Sequence, residues 1–123
     1  MLVRRFRRLA RAAFYVAALG AFALAVMPKP PRVPLDRFGD KVEHIFAFAV
    51  LTLLANVGFG VQRWRPILFG LALFGAAIEV VQAVPVLHRD SELIDWVADV
   101  AAVMVVTLAF AAAAAIVRRR SGA

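Results

Sequence analysis

Four apolar stretches alternate with polar or proline-rich breaks along the chain. The first, Ala12–Met27, follows the basic run Arg4, Arg5, Arg7, Arg8 and Arg11 and stops at Pro28. Pro30, Pro31 and Pro34 keep the next segment non-helical, because proline lacks an N–H and restricts the residue before it. The second stretch, Val42–Val61, opens after Asp40-Lys41 and closes around Gly58, Gly60 and Gln62. The third is Ile67–Val84, with Pro66 suited to a first helical position and Pro85 marking the stop. The fourth, Val97–Val117, runs into Arg118-Arg119-Arg120. A membrane-crossing helix needs about 20 apolar residues. The pattern therefore predicts helices over 9–27, 42–61, 66–84 and 93–117. Leu9–Arg11 complete the first, with the Arg11 guanidinium reaching back to the interface. That stretch, with Ala23-Leu24-Ala25 at its end, also has the form of a cleavable signal peptide. The orientation of the other three helices is the same either way.

Composition supports the membrane reading. Of the 123 residues, 63% are hydrophobic and 19% charged, and mean hydropathy is +0.82. A soluble domain is roughly 45–50% apolar, and disorder requires low hydrophobicity. With no cysteine, disulfides and thiolate chemistry are excluded. The net charge of +7 would suit a nucleic-acid binder, but the cations sit where topology determinants sit. Placing the N-terminus inside puts Arg4, Arg5, Arg7, Arg8, Arg11, Arg63, Arg65, Arg118, Arg119 and Arg120 on the inner side. Only Lys29, Arg32, Arg37, Lys41 and Arg89 then lie outside. The positive-inside rule thus predicts an all-α, four-helix membrane bundle with both termini cytoplasmic and no nucleic-acid partner.

The acidic residues change the picture further. Asp36, Asp40, Glu43, Glu79, Asp90, Glu92, Asp95 and Asp99 all fall in the outer half, as do His44 and His88. Acidic residues contribute little to insertion, so their placement needs another cause. Asp40 and His44, Glu79 and Gln82, and Asp95 and Asp99 are spaced to share helix faces. At a rise of about 1.5 Å per residue, Glu79 should lie roughly 9 Å below the helix end, with Asp99 about 6 Å deeper than Asp95. Membrane carboxylates face a bundle interior or a wet cavity. These groups are therefore expected around one outward-open pocket. Asn56, alone near the middle of the second helix, is expected to make a helix–helix hydrogen bond. Gly70, Gly75, Ala76, Ala77, Ala98, Ala101 and Ala102 are small enough to let helices approach closely.

Asp40-Lys41-Val42-Glu43-His44 resembles the DKxxH opening of VanZ-like proteins. Glu79-Val80-Val81-Gln82 resembles that family's ExxQ, and Arg89, Asp95 and a polar residue at 99 resemble its RxxxxxDxxxN segment. The resemblance covers residues 36–110 of what is expected to be a single domain. Two positions depart from it: Asp99 stands where the family usually has Asn, and Ala102 where it often has Gly. The resemblance implies a multi-pass protein of the bacterial cytoplasmic (inner) membrane. It also implies a cell-envelope association, in a family named for a member linked to glycopeptide (teicoplanin) resistance.

Two kinds of function compete. In the first, Asp40, Lys41, His44, Glu79, Gln82, Arg89, Asp95 and Asp99 bind a lipid or glycolipid headgroup, with Lys41 and Arg89 attracting its anionic part. In the second, His44, Glu79 and Asp99 are catalytic candidates for acid–base chemistry in a membrane hydrolase or transferase. Ser91 is the only outer serine and there is no cysteine, which favours binding, or an enzyme that uses water. A metal held by His44, Glu79, Asp95 and Asp99 is conceivable, yet no tight ligand motif is present, and neither metal nor cofactor is expected. Expected partners are the bilayer, the headgroup ligand and a second copy of the chain. Transport by four short helices would require such oligomers.

Overall fold

The computed structural model describes residues 1–28, 32, 34–87 and 91–122, without the side chains of residues 35, 36 and 40. His88, Arg89, Asp90 and the Asp40 side chain lie outside the described residues. Four helices follow: α1 (Leu2–Val26), α2 (Asp40–Phe59), α3 (Trp64–Gln82) and α4 (Leu93–Ser121). Short 3₁₀ turns occupy Pro34–Phe38, Val61–Arg63 and Pro85–Leu87, and no strand occurs among the described residues. All four helices are long and apolar enough to cross a membrane.

Local chemistry sets the ends. α1 begins at Leu2, earlier than the apolar stretch alone predicts, because the Arg-rich run contains good helix formers and no breaker. It ends where Pro28 holds Met27 extended, at φ −71° and ψ 126°. α2 lies between Gly39 and Gly60, whose φ values of 92° and 97° suit residues without a Cβ. The Gly60 N–H donates to the Asn56 carbonyl and closes the last turn. Pro66 sits third in α3, not first, and costs nothing there because first-turn N–H groups have no intrahelical acceptor. α4 carries Asp95 in its first turn and Arg118, Arg119 and Arg120 in its last, each matched to the helix dipole.

α2 is the hub, packing most extensively on α1 and α4. α3 packs mainly on α4, and less on α1 and on its own predecessor α2. Two side chains lock the register of α1. At one end Arg11 Nε donates to the Gly58 carbonyl at 2.8 Å, with its guanidinium 5.2 Å from the centre of the Phe59 ring. At the other end Gln82 Nε2 donates to the Ala25 carbonyl at 2.9 Å. Arg11 thus lies against the end of α2 while remaining exposed. The core between the helices is Phe48, Leu51, Ala55, Ile67, Leu71, Ile78 and Val103. Among the described residues Asn56 makes no hydrogen bond to another helix: its Nδ2 donates to Thr52 O at 2.8 Å, one turn back.

Much of the surface is apolar. The accessible area is 8656 Å², against about 6,500 Å² for a soluble monomer of this mass. Val16, Leu19, Phe69, Leu73, Val80, Val105 and Leu108 are all exposed. Such a surface suits lipid. Of the small residues, Gly75 mediates a close approach and Gly70 does not. A Cβ on Gly75 would stand 3.2 Å from Phe48 and 3.3 Å from Trp96, whereas none lies within 4 Å at Gly70. Gly75→Ala should therefore destabilise the detergent-solubilised protein by about 1–3 kcal/mol in thermal unfolding. Gly70→Ala should leave the transition within about 0.5 kcal/mol of the parent.

Candidate functional site

The polar residues at one end of the bundle come from three helices. α2 and α4 run in the same direction there, so two consecutive turns of each face one another. Lys41 meets Asp95 at 3.6 Å and His44 meets Asp99 at 3.5 Å. α3 runs the opposite way and brings Glu79 in from its last turn, with Oε1 4.0 Å from His44 Nδ1. Glu79 is three residues, about 4.5 Å, from the end of α3, because that helix stops at Gln82 instead of reaching Pro85. Gly75, one turn earlier on α3, lets the helix come close: a Cβ there would be 3.5 Å from Asp99 Oδ2. Trp96 supports the same contact, its indole N–H donating to the Ala72 carbonyl at 2.8 Å.

Exposure falls from Lys41 at the rim, through Asp95 and His44 with 13% of their side chains exposed, to Asp99. Asp99 is 1% exposed and Glu79 9%. Lys41 keeps half of its side-chain surface and also reaches Glu92 at 3.9 Å. Asp99 Oδ1 and Oδ2, Glu79 Oε1 and His44 Nδ1 have no hydrogen-bond partner among the described residues. The 3.5 Å separation of His44 and Asp99 is long for a hydrogen bond. Glu79 Oε2, in contrast, has two donors beside it. The Ser91 hydroxyl lies 2.9 Å from it and also 2.9 Å from the Glu79 carbonyl, sharing its one proton between them, and the Glu92 N–H donates to it at 3.2 Å. That grip turns Oε1 toward His44.

His44, Glu79 and Asp99, the three catalytic candidates, thus converge. Of the other expected ligand residues, Lys41 and Asp95 form the layer above them. Gln82 is 2% exposed, and its amide N–H is committed to α1. Arg89 and the Asp40 side chain lie outside the described residues. Ser91 is a contributor to which the sequence assigned no role. It serves here as a donor that orients Glu79. Its position just before a helix start was the only available signal. A separate groove of about 500 Å³ lies on the opposite half of the bundle, lined by Phe14, Tyr15, Phe59, Ile67 and Phe74 among others, and is mostly apolar. No protein-family model, curated protein or solved structure matches the chain.

The two pairs should differ energetically. A double-mutant cycle of His44→Gln and Asp99→Asn, read by thermal unfolding in detergent, should give a coupling of about 0.5–3 kcal/mol. The Lys41–Asp95 pair, whose lysine is half exposed, should give less than about 1 kcal/mol. Equal couplings would show that burial confers nothing on the inner pair.

Proposed function

We propose that this chain is a VanZ-like protein of the bacterial cytoplasmic membrane, with both termini cytoplasmic. Its polar end lies at the outer face and holds the headgroup of a lipid-linked or glycopeptide-related envelope molecule. The observation that carries this reading is the convergence of His44, Glu79 and Asp99 beneath Lys41 and Asp95 on otherwise apolar helices. Intramembrane ionisable groups usually mark functional sites. Lys41, half exposed and shared between two carboxylates, is positioned to exchange one of them for an anionic group. The carboxylates around it can accept hydrogen bonds from sugar hydroxyls or amines. The opposite end of the bundle carries Arg4, Arg5, Arg7, Arg8 and Arg11, together with Arg118, Arg119 and Arg120, as a cytoplasmic face should.

The grip on Glu79 favours one second reading. A carboxylate fixed by Ser91 and the Glu92 N–H, beside a His–Asp pair, is the geometry of a general acid–base site. In that case the chain is a membrane hydrolase or transferase that uses water, with His44, Glu79 and Asp99 as its working groups.

Two measurements test the proposal. In intact cells Val86→Cys should react with an impermeant thiol reagent and Ser121→Cys should not; the reverse pattern overturns the orientation. Native mass spectrometry of the purified protein should show a co-purifying lipid whose occupancy falls severalfold in Lys41→Ala. A spectrum without bound lipid would overturn the headgroup reading.

A further inference from the structure

We propose that His44, Glu79 and Asp99 form a site for one divalent transition-metal ion of the zinc or manganese kind. One donor atom from each residue, drawn from three different helices, lies within 4.8 Å of the others. The separations to His44 Nδ1 are 3.5 Å for Asp99 Oδ2 and 4.0 Å for Glu79 Oε1. Donors about 2.1 Å from a tetrahedral zinc stand about 3.4 Å apart. Shortening the donor separations by about 0.1 to 1.4 Å therefore brings the set onto a metal. Imidazole nitrogen suits zinc, and carboxylate oxygen suits both zinc and manganese.

Burial supplies an independent reason. Asp99 is 1% exposed, and both of its carboxyl oxygens lack a hydrogen-bond partner among the described residues. His44 Nδ1 and Glu79 Oε1 lack one too. Four acceptor-capable atoms thus converge in a low-dielectric setting. With a neutral imidazole the set carries two negative charges, which a divalent cation balances and a single proton does not. The surrounding groups behave as supports for such a site. Ser91 and the Glu92 N–H hold Glu79 Oε2, leaving Oε1 to ligate, as outer groups commonly orient metal ligands. Lys41 engages Asp95 and Glu92, which keeps Asp95 out of the ligand set. Three protein ligands leave a coordination position for water or for a substrate oxygen.

This inference rests on the cluster alone and not on the headgroup reading. The full chain, purified in detergent, stripped with a chelator and desalted, is loaded with zinc or with manganese and analysed for metal by mass spectrometry. One equivalent per chain of either metal is expected. Affinity should fall at least about 100-fold in His44→Gln and in Asp99→Asn, and about 10-fold in Ser91→Ala. Tyr15→Phe, on the separate apolar groove, should bind as the parent does. Cobalt loading of the parent should add visible absorption bands that His44→Gln alters. Less than about a tenth of an equivalent of both metals in the parent overturns the proposal, as does uptake unchanged in all the cluster variants. The first criterion needs no variant to fold. Headgroup capture without metal uptake would overturn this inference alone. Metal uptake without headgroup capture would support it and overturn only the headgroup reading.

Discussion

An ionisable carboxyl placed six residues into an apolar helix must find its partners inside the protein, and Asp99 imposes that requirement on α4. Lipid offers no hydrogen bonds, so α4 has to turn this residue toward α2 and α3. His44 and Glu79 are what it meets there. The same rotation directs Val105 and Leu108 outward. The apolar surface of α4 carries little information about orientation, since it is hydrophobic nearly all round. The buried carboxyl therefore does for α4 what an amphipathic stripe does for a helix in water.

Close packing makes the polar contact feasible. Gly75 removes the side chain that would otherwise separate α3 from Phe48, Trp96 and Asp99. Trp96 then reaches across to the Ala72 carbonyl. A polar cluster in a bundle this thin depends on such approaches, because few residues are wholly buried. At the far end the constraint is met differently. Arg11 satisfies the Gly58 carbonyl near the end of α2 and covers Phe59 with its guanidinium. There a cation completes a helix terminus, in keeping with the negative end of the helix dipole. The two ends thus have distinct chemistry: arginines on carbonyls and aromatic rings at one, carboxylates around a histidine at the other.

Much of the site could be read from the order of residues. His44, Glu79 and Asp99 stand out because charge within a span is rare, and the structure brings them together. Gln82 shows where face-sharing is insufficient. It is three residues from Glu79, yet it turns to α1, because the Ala25 carbonyl at the end of that helix needs a donor. Asn56 likewise satisfies itself on its own helix. Ser91 could not be assigned, since a residue just before a helix has no periodicity to reveal its direction.

The sequence by itself determined the four spans and the sorting of charge between the two ends. Hydropathy and basic runs are local properties, and the bilayer reads them one segment at a time. Only the tertiary structure decided that α4 packs against α2 while α3, the chain neighbour of α2, meets α2 less. It alone matched Lys41 with Asp95 and His44 with Asp99. Residues four apart differ by about 40° around a helix. Which of them meets a given partner therefore follows from crossing geometry and side-chain volume, neither of which any single segment contains.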